Sequence, residues 1–149
     1  MTTPTQSTSP AGAVQQAFVA VLKADGPLKV LLGGRDAVYD QPPEGEAYPY
    51  VRVGEHLSTA DNDHTSFGRE ITETLRVWTK ARSNKQGTDI ATRIGQLLDH
   101  QVARVDAVLR PLGHRCVTIR LEYDQALTDP DPQIRQHVLR FRLQTQQLT

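Results

Sequence analysis

A single cysteine, Cys116, stands among the 149 residues, so the chain cannot staple itself with a disulfide. A thiol economy of this kind fits folding in the bacterial cytoplasm. Charge of one sign is also missing. Lys plus Arg is 17 and Asp plus Glu is 17, which argues against a dedicated nucleic-acid binder with its basic excess. No stretch approaches the ~18 continuous apolar residues of a membrane span. Aromatic residues make up 5% of the chain, Trp78 being the one tryptophan, and hydrophobic residues 38%. That lean core hints at further burial against partners. The opening Met1 to Pro10 is rich in Thr, Ser and Pro and lacks the basic start of a signal peptide. Residues 1–9 therefore read as a short disordered arm. Neither an internal repeat nor a low-complexity tract follows it.

What is present fits one compact domain over residues 10–146, with a short tail at 147–149. A chain of this length buries roughly 70% of the surface exposed when unfolded, enough for a core without metal or disulfide. Ser9-Pro10 opens a helix, with Val14, Ala17, Phe18, Val21 and Leu22 on one stripe. Asp25-Gly26-Pro27 ends it, Leu28 to Leu32 makes a short apolar turn, and Gly33-Gly34 breaks the chain. Val38-Tyr39 starts a short edge strand, and the proline-rich stretch from Asp40 to Pro49 is a loop.

Tyr50 to Ser58 alternates as a half-buried strand, placing Val51, Val53 and Leu57 on one face and Arg52 and His56 on the other. Arg69 to Lys80 is its partner, with Ile71, Leu75 and Val77 inward and Arg76 and Trp78 outward. Glu55 and Glu73 break the apolar side. Ser83 or Asn84 caps a second helix whose stripe runs from Ile90 to Gln101 and blurs towards Val105 and Leu109. Cys116 to Leu127 is a strand with Val117, Ile119, Leu121 and Tyr123 on one face. After the turn at 128–132, the last strand, Ile134 to Gln144, points Leu139, Phe141 and Leu143 inward.

The element order is α-(β)-β-β-α-β-β. It predicts an α+β domain: a mostly antiparallel sheet of four to five strands, with two helices packed on one face. Strand parity then gathers Arg52, Arg76, Trp78, Arg120, Arg140 and Arg142 on the opposite face, with His56 and Glu122. No element is left to cover that face. It is a solvated sheet surface, or it lines a subunit seam or a channel.

Other residue groupings have simpler readings. His114 and Cys116 share a strand face, but no third group orients the histidine for nucleophilic work. Asp61, Asn62, Asp63 and His64 lie in a polar loop without the glycine and distal Glu of a calcium loop. Asp129 and Asp131 flank Pro130 as turn formers. Gly33-Gly34-Arg35 lacks the Lys-Ser/Thr of a phosphate loop.

Several stretches in fixed order carry a family likeness. They are AVQQAFVAVLKAD at 13–25, LLGGR at 31–35, VYDQPPEGEAYPYVRVGE at 38–55 and GREITETLRVWTKAR at 68–82. TDIATRIGQLLD at 88–99 and GHRCVTIRLEYDQALTDPDPQIRQHVLRFRLQT at 113–145 complete them. From Val14 to Gln146 the chain resembles the tail terminator, or tail completion, proteins of long-tailed phages, prophages and gene transfer agents. The departures from the family pattern are the Thr/Ser-rich arm and the longer segment from Gln101 to Leu112.

The resemblance implies a structural virion protein, made in the host cytoplasm and located at the neck of the tail. It implies a ring of identical subunits, typically six, that caps the tail tube, stops tube polymerisation and offers a surface to the head–tail connector protein. DNA passes through such a ring without sequence-specific binding. The resemblance carries no catalytic residue, metal, cofactor or membrane. The loop residues Asp61, Asn62, Asp63, His64 and Phe67 are the candidate docking loop towards the tail tube protein. The Arg-bearing face, with Trp78, is the candidate lumen or subunit seam. Another neck or head–tail connector protein, or a relative of the tube protein, is the alternative.

Overall fold

A computed structural model describes residues 9–62 and 67–148. Helix α1, Pro10–Lys23, starts where Ser9 Oγ accepts from the Gly12 amide at 3.2 Å, with Pro10 in its first turn. It buries Val14, Phe18 and Leu22. Helix α2, Gly26–Leu31, makes the short apolar turn a true helix, capped by Asp25, whose carboxylate accepts from the Leu28 amide at 2.9 Å.

The strands are β1 (Val38–Tyr39), β2 (Tyr50–Ala60), β3 (Gly68–Lys80), β4 (His114–Thr128) and β5 (Ile134–Gln147). They form one sheet in the order β1-β2-β3-β5-β4. All neighbours are antiparallel except β1, which runs parallel to β2. The α+β class and the mostly antiparallel sheet are as expected, but the helical layer holds four helices instead of two.

The extra division lies in the long second helix. Helix α3, Lys85–Leu98, stops at Asp99, and α4, Val102–Leu109, begins after Gln101. Between them His100 adopts a left-handed φ of 59°, a conformation uncommon outside glycine but tolerated best by Asn, Asp and His. The corner is useful. Asp99 Oδ1 accepts from the Leu121 amide at 2.8 Å, the His100 amide donates to the Ile119 carbonyl at 3.1 Å, and Asp106 Oδ1 accepts from the Cys116 amide at 2.8 Å. The α3–α4 corner thus satisfies the outer edge of the first half of β4.

The core lies between the helices and one sheet face. Val51, Val53, Leu75, Phe141 and Leu143 meet Phe18, Ile90, Ile94 and Leu109 there. Phe18 and Phe141 touch edge to face, with centroids 5.7 Å apart. Arg93 clamps the helices by donating to both oxygens of Asp25 at 2.8 and 2.7 Å. That clamp, with the α2 cap, holds the Asp25 carboxyl below its usual range. Asp25→Ala removes a cap and strands a half-buried guanidinium. The expected cost is about 2 kcal/mol, read as a lower urea midpoint with unchanged m-value.

Candidate assembly surface

Two strands carry bulges, and the bulges decide which side chains reach the uncovered sheet face. On β2 the register slips between Val53 and Glu55. Gly54 supplies the extra residue at φ 157°, where an L side chain rarely sits, with the Asp40 backbone 3.6 Å from where its Cβ would be. A slip of one residue exchanges the faces. Val51 and Val53 point into the core as expected, but Leu57 does not. It lies on the outer face opposite Thr72 and is 65% exposed. His56 turns inward instead, opposite Glu73. Glu55 is likewise outward and does not break the apolar side. On β4, slips at Val117 and Glu122 move Tyr123 out of the expected core face to lie opposite Arg140.

With these corrections, the structure does bring Arg52, Arg76, Trp78, Arg120, Arg140 and Arg142 onto one face. Arg52 pairs with Arg76, Arg76 with Val138, Arg142 with Arg120 and Arg140 with Tyr123 in cross-strand register. Two of the five arginines are answered by carboxylates, and two others have neutral partners. Arg76 grips Glu55 through two bonds of 2.8 and 3.0 Å and Gln136 through a third of 2.7 Å. Arg142 meets Glu70 at 2.7 Å and Glu122 at 2.6 Å. Arg140 lies over the Tyr123 ring at 4.7 Å. Arg52 donates to the Asp40 carbonyl at 3.2 Å. The face is therefore a laced mosaic, not a bare basic surface. The Arg76 grip also holds Glu55 below the usual carboxylate range.

The polar loop between β2 and β3 is closed at its base. The Asp61 amide donates to the Gly68 carbonyl at 2.9 Å, and Asn62 Oδ1 accepts from the Gly68 amide at 3.1 Å. The Gln147 amide donates to the Phe67 carbonyl at 2.8 Å, tying the loop to β5. Asp63 and His64 lie outside the described residues, as do residues 1–8 of the arm expected over residues 1–9; its last residue, Ser9, caps α1. A Cβ on Gly68 would stand 2.2 Å from the Asp61 carbonyl oxygen. Gly68→Ala must therefore reopen this base. The expected loss is about 2 kcal/mol, with faster amide exchange at Asp61.

The remaining sequence candidates take structural roles. Cys116 is buried, with its Sγ 3.6 Å from the Thr118 carbonyl oxygen, and burial raises its thiol to about 11. Iodoacetamide at pH 8 is expected to leave Cys116 unmodified in the folded protein and to modify it fully in urea, as mass spectrometry would read. His114 is buried on the same strand. Asp129 and Asp131 cap their own turn, accepting from the Asp131 and Gln133 amides at 3.2 and 3.0 Å. Among the described residues no group of three or more His, Cys, Asp or Glu is placed to hold a metal, and no helix is long and apolar enough to cross a membrane.

Glu73, which as a break in the apolar pattern was expected where the sheet runs past the core or at a subunit contact, lies inside the core instead. Glu73 is wholly buried under the helices, and neither carboxylate oxygen has a hydrogen-bond partner. Its nearest ionisable neighbour is His56, with Nδ1 3.6 Å from Oε2. Desolvation, aided by the Glu55 charge, lifts its pKa to about 8. The position was visible as a break in the β3 pattern, but the partnerless burial was not.

Comparison with known proteins adds four likenesses. A family described as tail completion protein gp17 matches residues 16–146. The tail completion protein gp17 of Bacillus phage SPP1 is 27% identical over 130 residues, covering 87% of this chain and 90% of that protein. A chain in the solved virion of a native gene transfer agent particle superposes with a TM-score of 0.78 at 26% identity, covering 94% of this chain and 99% of that one. The solved SPP1 gp17 protein gives a TM-score of 0.49 at 23% identity, covering 89% and 88%.

Proposed function

From the premise that this chain belongs to the tail completion protein gp17 family, we propose that it is a structural virion protein that forms a ring on the end of the tail tube; the ring stops tube growth and joins tail to head.

 Six copies is the ring size expected from the family likeness. The observation that carries the reading is the uncovered sheet face. One side of the sheet is sealed by four helices, while the other bears half-exposed Trp78, exposed Leu57 and a laced set of arginines with nothing among the described residues to cover them. A protein that works by surfaces needs such a face, and a ring needs two different flanks on each subunit.

The physical task is specificity. A growing tube ends in a ring of unsatisfied contacts. A terminator must match that end on one side and fail to match a further tube subunit on the other. The polar loop spanning residues 61–67 is the docking element towards the tube protein, and the arginine face lines the lumen through which DNA passes. Because Glu55, Glu70 and Glu122 answer Arg76 and Arg142 in place, passage is not slowed by a strong phosphate-binding surface. Gel-shift titration is expected to show no binding of duplex DNA at physiological salt, since few phosphate contacts are available.

Deleting the gene from its phage or prophage and imaging the lysate tests the reading. Filled heads beside detached tails of uneven, often excessive length are expected. Tails of normal length that fail to join heads would assign the chain to a connector instead. Unaltered infectious particles would overturn the structural reading.

A further inference from the structure

The sheet has two edges, and each is half satisfied. On one edge, β1 pairs only with Val51 and Arg52 of β2, so Glu55 to Thr59 has no backbone partner outside β3 among the described residues. On the other edge, the α3–α4 corner bonds the β4 backbone at Cys116, Ile119 and Leu121 and goes no further. Beyond it, Tyr123 to Leu127 has no backbone partner outside β5 among the described residues. Each bare run begins at a bulge. Open edges of this length are liabilities that proteins normally cover. Each run also exposes a large apolar side chain on the same outer face: Leu57 is 65% exposed and Tyr123 is 40% exposed.

The geometry points to a second copy of this chain as the cover: the bare β2 run of one subunit adds, antiparallel, to the bare β4 run of the next. This rests on the ring reading and names its seam. The sense of pairing follows from the topology. Within one subunit β2 and β4 run in opposite directions, since β3 and β5 intervene with antiparallel pairings throughout. A rotation about the ring axis preserves that relation, so the new pair is antiparallel.

The register follows from parity and sterics. Within the sheet, Glu55 and Tyr123 lie at the same level, both tracing to Thr74. Only an even offset keeps outer side chains beside outer side chains. An offset of two would drive the neighbour's β1 into Leu127 and Thr128. An offset of four is the smallest that clears it. That offset sets Leu57 opposite Gln125, with Tyr123 and Leu127 as diagonal neighbours, so the exposed leucine gains apolar company.

Closure can be checked by arithmetic. Four residues of offset are about 14 Å along the strands, and the four strands β2, β3, β5 and β4 span about 19 Å across them. A planar ring then needs strands inclined at roughly 35° to its axis, within the range by which closed sheets tilt.

The test uses tails purified from the deletion strain complemented with a Leu57→Cys/Gln125→Cys chain. Mild oxidation should give a reducible ladder of oligomers that neither single-cysteine chain gives. A lysine-reactive crosslinker on the same tails reports any ring, wherever its seam lies. A lysine ladder without a cysteine ladder would overturn the edge pairing and leave the ring intact. Dimers from a single-cysteine chain would replace it with a two-fold contact. Absence of both ladders would overturn the ring reading itself.

Discussion

Replacing Glu73 with leucine should make the protein more stable, and the gain should grow as pH rises. The sign follows from where the proton sits. Glu73 is raised to about 8 in the folded chain, against an ordinary value of 4.5. Below pH 4.5 the carboxyl is neutral in both states and costs only its missing hydrogen bonds. Between 4.5 and 8 the unfolded chain sheds the proton while the folded chain keeps it, so stability falls as pH rises. Above 8 the folded state carries a buried carboxylate and the full penalty is reached.

The shift corresponds to a penalty on the order of 5 kcal/mol at pH 9, and leucine abolishes it. Glutamine has the same shape and does not titrate, but it leaves an amide unpaired. Glu73→Gln should therefore flatten the pH dependence with a smaller gain. Urea midpoints at pH 5, 7 and 9 read both effects. Parallel curves for the native and leucine chains would mean that Glu73 titrates normally, through an opening that admits water.

Glu73 also illustrates what the sequence made legible. Period-two alternation placed Ile71, Leu75, Val77, Leu139, Phe141 and Leu143 correctly, because β3 and β5 pair without a slip along their whole length. The same reasoning failed on β2 and β4, where one extra residue exchanges the faces. A signal existed for one of the failures. Gly54 inside an otherwise alternating strand is a standing mark of a bulge, and reading it would have turned Leu57 outward and His56 inward. Glu122 offers no such mark. It pairs with Arg142 across the strands, a contact that needs the tertiary pairing first.

The helical layer shows the same limit. The apolar stripe blurs towards Val105 and Leu109 without breaking, so its periodicity does not place the corner at His100. That corner forms because Asp99, His100 and Asp106 find backbone partners on β4. Those contacts are distant in sequence. The arginine face was legible because parity alone gathers its members. Glu122 was legible there too, whereas Glu55 reaches the face only through the slip at Gly54.

Phe141→Ala should be the most damaging single truncation in the core, at about 3–5 kcal/mol. Phe141 is fully buried on the interior strand β5, between Glu73 of β3 and Leu121 of β4, and its ring meets Phe18 of α1 at 84°. Truncation leaves a cavity at the joint between sheet and helices, which the rigid β-strand neighbours cannot close. For a domain of this size the melting temperature should drop by roughly 10 °C. A double-mutant cycle with Phe18→Ala should return a coupling of about 1 kcal/mol, the share of the edge-to-face contact beyond area. Additive losses would mean that each ring packs independently. The comparison also separates fold from assembly. Leu57 and Gln125 touch little within their own subunit, so changes there should leave the melting temperature of the isolated chain unmoved while weakening the ring. Phe141→Ala should lower both, since β5 holds β3 and β4 in the register that sets the two bare edges.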